Sequence, residues 1–272
     1  MSIRPRAFPL SIFGDTIPRH WLGGSVLATQ LANGVNLLFP AGERFFVRSV
    51  RHYLKAIADD PALVEAVRGF ASQEGHHARA HEAVFDVLEQ QGYAVKPFLR
   101  AYEYVGYRLL EPIFSPAMRL ATTAASEHFT AVLAENFLTQ MDERMVHPAM
   151  RQLLAWHACE EIEHRAVAFD VLSKVDGRYS VRMGGLAVAT VTLAGFWIAA
   201  TLYLLAQEEK PWAAARREYG TIKQHQPFGE RVFGRGIREY LRRDFHPSQR
   251  KDLDELAKRS LRELESIGLA PA

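Results

Sequence analysis

Apolar residues run through this chain in long stretches broken by Pro, Gly and Asp, and the stretches between the breaks have helix length. That pattern predicts an all-α fold. Trp21 to Phe39 is nearly free of charge and reads as a short apolar helix packed on a bundle. Pro40 opens a helix expected to run to about Ala58, where Asp59-Asp60-Pro61 ends one helix and starts the next. The second runs from Pro61 to about Gln91 and stops at Gly92, a natural C-terminal residue. An aromatic crossover, Tyr93 to Ser115, reads as partly helical. Ser115-Pro116 is an N-cap followed by Pro at the first helical position. The third helix is expected to reach about Val146, where His147-Pro148 breaks it, and the fourth to run from Pro148 to about Val175. Two helical hairpins joined by a long crossover make a four-helix bundle.

No charged residue occurs from Met183 to Gln207, a span long enough to cross a bilayer. Trp197 and Tyr203 lie within it, and basic residues stand on both sides, so they give no orientation. An all-round apolar helix must be buried somewhere. The two readings are a helix inserted in a membrane or lying on its inner face, and a helix buried against the bundle or a homodimer interface. After Pro211 the chain is basic and amphipathic: Arg231, Arg235, Arg238, Arg242 and Arg243 alternate with Phe233, Ile237, Tyr240 and Leu241. This suits a solvated helix with an apolar seam, or a surface that lies on anionic lipid. Ser248 is expected to cap a last helix, Gln249 to about Ile267, ended by Gly268. The organisation is therefore an N-terminal arm and packing segment (1–39), the bundle (40–176), a hydrophobic helix (177–210) and a basic tail (211–272).

Composition narrows the function classes. The chain has 272 residues, 48% of them hydrophobic, enough for one substantial core. A net charge of +2 gives no electrostatic case for nucleic acid. The one cysteine, Cys159, excludes an internal disulfide framework and fits a reducing cytoplasm. It reads as a core residue. Met1 to Pro18 has no secretory pattern and reads as an irregular arm. No Gly-x-Ser-x-Gly elbow, phosphate-cradling Gly-rich loop or Cys-x-x-Cys pair stands out.

The chemistry lies in a Glu-x-x-His step that occurs twice, at Glu74 to His77 and at Glu161 to His164. Residues three apart share one helix face, so each pair reaches one point. One such step on a helix-rich chain means little, since most are solvated faces. Here each follows a lone upstream Glu, Glu43 or Glu127, by 31 and 34 residues. One Glu from each of two helices and a Glu-x-x-His from each of two more is the set that holds two metal ions in a bundle core. Carboxylate and imidazole donors suit iron, with manganese or zinc as alternatives. Glu135 competes with Glu127 but leaves a gap of only 26 to Glu161. Glu160 and Glu163 point away from the Glu161/His164 face and read as a solvated or supporting edge. His81 shares the His77 face one turn on. His76, His128 and His157 have no partner at ligand spacing and read as surface or hydrogen-bonded core histidines.

At these residues the chain resembles the ferritin-like di-iron carboxylate superfamily, which includes rubrerythrins, ribonucleotide reductase small subunits and soluble acyl desaturases. The stretches Phe39 to Phe46, Gln73 to His77 and Glu160 to His164 also resemble a bacterial family described as predicted metal-dependent hydrolase, over roughly residues 20–210. The resemblance implies that Glu74 and Glu161 bridge two metals, that Glu43 and Glu127 are terminal carboxylates, and that His77 and His164 each cap one metal. The ligand set favours oxygen-dependent oxidation of an apolar, lipid-like molecule, with an electron donor as partner. Hydrolysis by a metal-bound water, as the family description says, and non-catalytic metal binding are the alternatives.

Overall fold

The computed structural model describes residues 3–14, 16–225 and 229–266. Among them the fold is all-α, and the only β pairing is a single bridge between Leu22 and Val146. The order is α1 (Val26–Asn36), α2 (Phe39–Arg51), α3 (Pro61–Gln90), α4 (Val95–Glu103), α5 (Pro116–Gln140), α6 (Pro148–His164), α7 (Val167–Val175), α8 (Tyr179–Leu205), α9 (Pro211–His225), α10 (Arg235–Tyr240) and α11 (Lys251–Ser266).

Local chemistry sets the starts of α1, α3 and α5. The Ser25, Asp60 and Ser115 side chains accept from the amides of Ala28, Leu63 and Met118, and Pro61 and Pro116 follow the last two caps. Gly92, at φ +91°, takes the left-handed turn after α3.

Four expected boundaries move. The helix opened at Pro40 ends at Arg51, and the chain continues in tighter turns, with Tyr53 and Leu54 amides bonded three residues back. These turns bring Ile57 to 0% exposure. The third helix stops at Gln140, not near Val146. Asp142 accepts from the Arg144 amide, and Val146 and His147 instead join the Leu22 and Trp21 backbone. The fourth helix divides after His164. There the Arg165 guanidinium donates to the carbonyls of Ile162, Pro247 and Arg250, tying the break to the C-terminal region. The last helix starts at Lys251 rather than Gln249: Ser248 lies in a preceding 3-10 turn, Pro247–Gln249, which His246 caps by accepting from the Ser248 amide; Gly268 lies outside the described residues. The crossover after Gly92 is helical for most of its length, as α4 followed by a π-helical segment at Tyr104–Leu110.

Helices α2, α3, α5 and α6 surround the buried polar residues, with α7 continuing beyond the break. Helix α8 packs along α5 and α1. Its approach is close: a Cβ at Gly185 would lie 2.3 Å from the Ala121 backbone carbon. Val191 and Ile198 on its outer side are 72% and 60% exposed. By length and composition α8 is apolar enough to cross a membrane, and it lies with one side against the bundle. Helix α11 packs on α6, and α10 on α5, where His128 Nε2 donates to the Gly236 carbonyl.

Candidate metal centre

The six expected donors come from four helices. Glu43 lies one turn into α2, Glu74 and His77 on α3, Glu127 on α5, and Glu161 and His164 at the end of α6. All six are buried, none more than 4% exposed. His164 sits between two carboxylates, with Nδ1 2.9 Å from Glu127 Oε2 and Nε2 3.2 Å from Glu74 Oε1. Glu161 Oε1 lies 3.6 Å from His164 Nε2 and 3.5 Å from His77 Nδ1.

The structure adds a donor that the spacing did not reveal. His157, one turn before Glu161 on α6, places Nε2 2.8 Å from Glu161 Oε1 and 3.7 Å from Glu43 Oε1. His157 is thus a buried, hydrogen-bonded histidine, as expected, and it also lies within reach of the donor cluster. Spacing alone carried a signal, since His157, Glu161 and His164 follow one helix face at intervals of four and three. Two groups of mutually close donors result: Glu43, His77, His157 and Glu161, and Glu74, His77, Glu161 and His164. Glu127 joins the second through His164.

The surrounding hydrogen bonds fix which nitrogens face inward. His77 Nε2 donates to Glu160 Oε2 at 3.0 Å, leaving the Nδ1 lone pair toward Glu161. Asn36 Oδ1 accepts from His81 Nδ1 at 2.5 Å, so His81 Nε2 accepts from His157 Nδ1 at 2.6 Å. His157 Nε2 is then also a lone pair aimed at Glu161 and Glu43. A lone pair facing a carboxylate oxygen is repulsive unless a proton or a metal ion lies between them. Second partners of this kind hold metal-binding imidazoles in the required tautomer.

Electrostatics point the same way. Burial, reinforced by the neighbouring carboxylates, pushes Glu43 and Glu74 well above the usual carboxylate range. Burial also raises Glu127, to about 7, with His164 opposing the shift. Burial drives His77 and His81 well below the ordinary imidazole value, so both are neutral. Burial lowers His164 too, but Glu161 and Glu127 outweigh it and hold the ring at about 9. Among the described residues only histidines pair with the four central carboxylates. Both oxygens of Glu43 and of Glu74, one oxygen each of Glu127 and Glu161, His77 Nδ1 and His164 Nε2 are buried without a hydrogen-bond partner. Orphaned polar atoms in one place are costly in an apo core, and they are the atoms that divalent cations would satisfy. The residues fit a metal site.

The chain belongs to the predicted metal-dependent hydrolase family. That family's pattern matches residues 4–251, which takes in every donor named above. No curated protein and no solved structure matches the chain.

The family match extends beyond residues 20–210 at both ends, and the structure supplies a reason. Arg6, in the N-terminal arm, donates to Glu160 at 3.1 Å and to Glu163 at 2.7 and 2.8 Å. Both glutamates are buried, which corrects the solvated alternative for this edge of the motif. Gln73 donates to Glu163 at 2.9 Å as well. Glu135 lies away from the centre, paired with Arg235 and Arg250. Cys159 is fully buried, and burial pushes its thiol well above the ordinary range, which suits a packing role.

Two cavities reach the donors. One of about 720 Å³ touches His157 and Glu161, and one of about 130 Å³ touches Glu43. Val35, Phe39 and Thr130 line both.

Proposed function

We propose that the protein is a two-metal enzyme that hydrolyses its substrate. The observation that carries the reading is the sharing of His77 and Glu161 between two buried donor groups. Paired Glu-x-x-His helices in this arrangement are those of two-metal, ferritin-like bundles. Hydrolysis rests on the family's description.

Glu43, His77 and His157 would hold one ion and Glu74 and His164 the other, with Glu161 within reach of both and Glu127 beside His164. Bound divalent ions supply an acidified water and stabilise developing negative charge. The chain's own groups prepare the site. Glu160 keeps the His77 proton on Nε2, and His81 with Asn36 keeps the His157 proton on Nδ1. Phe39 packs on both His81 and His157, with ring centres at 4.7 and 4.6 Å, and shields them from solvent. The Thr130 hydroxyl donates to the Glu127 carbonyl at 3.1 Å and borders the larger cavity, where an approaching polar group meets Glu161.

A second reading, oxygen-dependent oxidation by iron with an external electron donor, is favoured by one feature. Four buried carboxylates outnumber the imidazoles, a donor balance that suits iron. One experiment separates the two. Protein loaded anaerobically with zinc or manganese is assayed for ester and amide hydrolysis, and iron-loaded protein is followed optically on exposure to oxygen. Turnover without oxygen supports hydrolysis. An oxygen-dependent spectral change without anaerobic turnover would replace it with oxidation.

A further inference from the structure

The larger cavity has a shape that constrains what enters it. On α1 it is lined by Ser25, Ala28, Ala32 and Val35, and on α5 by Thr130, Ala134 and Phe137. These positions recur at three- and four-residue steps, so each set is a stripe along one helix face. The ten residues between Ser25 and Val35 correspond to about 15 Å at the helical rise. The stripes run antiparallel. Val35 and Thr130 lie together at the end occupied by His157 and Glu161, and Ser25 and Met141 lie at the other. At that far end Arg217 pairs with Glu218 at 3.0 Å, and Glu218 accepts from the Ser25 hydroxyl and the Leu27 amide. Between the two polar ends the walls are mostly apolar, with Leu133, Leu154 and Trp197 among them and Asn136 and Gln140 as polar exceptions on α5.

A volume of about 720 Å³ lies in the ordinary range for small-molecule sites, roughly 300–1,000 Å³. An apolar trough lined lengthwise by two helix faces suits an extended chain better than a fused-ring body. Small side chains at Ala28, Ala32 and Ala134 keep its middle open. We propose that this trough holds the hydrocarbon chain of a long-chain acyl substrate, whose carboxyl-derived group lies at His157 and Glu161. The inference rests on the metal-centre reading only for the position of the polar end. The trough itself stands on the walls.

The test uses full-length, metal-loaded protein and a fluorescent polyene fatty acid displaced by unlabelled octanoate, dodecanoate or hexadecanoate. Circular dichroism and metal content are measured alongside. Affinity is expected to rise from octanoate to dodecanoate, by up to about fourfold per buried methylene. Ala134→Trp fills the trough and is expected to weaken dodecanoate at least tenfold with metal content unchanged. Ala32→Trp, on the opposite and partly exposed wall, carries the test if Ala134→Trp does not fold. Absence of chain binding would overturn the proposal, as would binding that neither variant alters. Chain binding by protein that retains no metal after reconstitution would overturn the two-metal reading and leave the acyl trough standing.

Discussion

His157 Nε2 lies 2.8 Å from Glu161 Oε1, at the end of a hydrogen-bonded line that starts at Asn36 and passes through His81. The line delivers a lone pair to the most crowded carboxylate of the site. An imidazole that presents a lone pair there would suit a metal ion, and the residues behind it set the tautomer.

His157→Gln is therefore expected to weaken metal binding at least tenfold. His81→Phe, which removes the acceptor for His157 Nδ1, should weaken it by about tenfold, within the usual range for such supporting groups. His128→Gln is the control: His128 is also buried, but bonds to Gly236. Competition against a chelator measures all three. Equal affinity in the His157 and His128 variants would remove His157 from the ligand set.

The six donors at Glu43, Glu74, His77, Glu127, Glu161 and His164 were legible because helical spacing is a local property. Two residues three apart face one way wherever the helix goes. The structure gathers five of these candidates into two groups of mutually close side chains, with Glu127 hydrogen-bonded to His164 beside them. His157 obeys the same periodicity, but a single histidine four residues before a motif has no partner in sequence, and its partners Glu43 and His81 are supplied by other helices. Glu160 and Glu163 were placed correctly off the ligand face, yet their burial depends on Arg6, more than 150 residues away in the chain. The end of α5 was missed because its last residues trade helix bonds for pairing with Leu22 and Trp21.

Metal-free protein should lose stability as pH rises from 7 to 9. Glu160, raised by burial to about 8, and His164, held at about 9, bind protons more tightly in the folded state than in the unfolded chain. Glu43 and Glu74 are shifted in the same direction. Folded protein thus holds more protons across this window, and stability falls as they leave. His77 and His81 shift the other way, but their contribution is complete above the ordinary imidazole value. Bound cations replace those protons, so the stabilisation on adding metal should grow over the same interval. Thermal melts at stepped pH check this. A midpoint that rises from pH 7 to 9 without metal would contradict it.

Arg6→Ala leaves Glu160 and Glu163 buried without their cation. Breaking a buried pair from one side costs up to 3–5 kcal/mol, and the partial exposure of Arg6 (19%) reduces this to about 2–3 kcal/mol. Arg6→Lys should recover only part, since Lys lacks the fork that reaches both oxygens of Glu163. Denaturant titration provides the values. A loss under 0.5 kcal/mol would place the arm outside the folded unit.

Helix α8 offers a paired test of packing. Gly185→Val would drive its side chain into the Ala121 backbone and is expected to cost about 3 kcal/mol or more. Gly195, further along the same helix, is exposed and has open space around it. Gly195→Ala should be neutral or stabilising by up to about 1 kcal/mol, through helix propensity. Similar losses at the two sites would mean that α8 does not seat on α5 as described.

The central claim is that one buried cluster holds two divalent ions. Its most direct test is the metal content of protein reconstituted anaerobically with iron, manganese or zinc, beside Glu161→Ala, which removes the carboxylate common to both donor groups. The account predicts about two ions per wild-type chain and the loss of at least one in the variant. Wild-type protein that retains no metal, or a variant that retains as much as wild type, would contradict it.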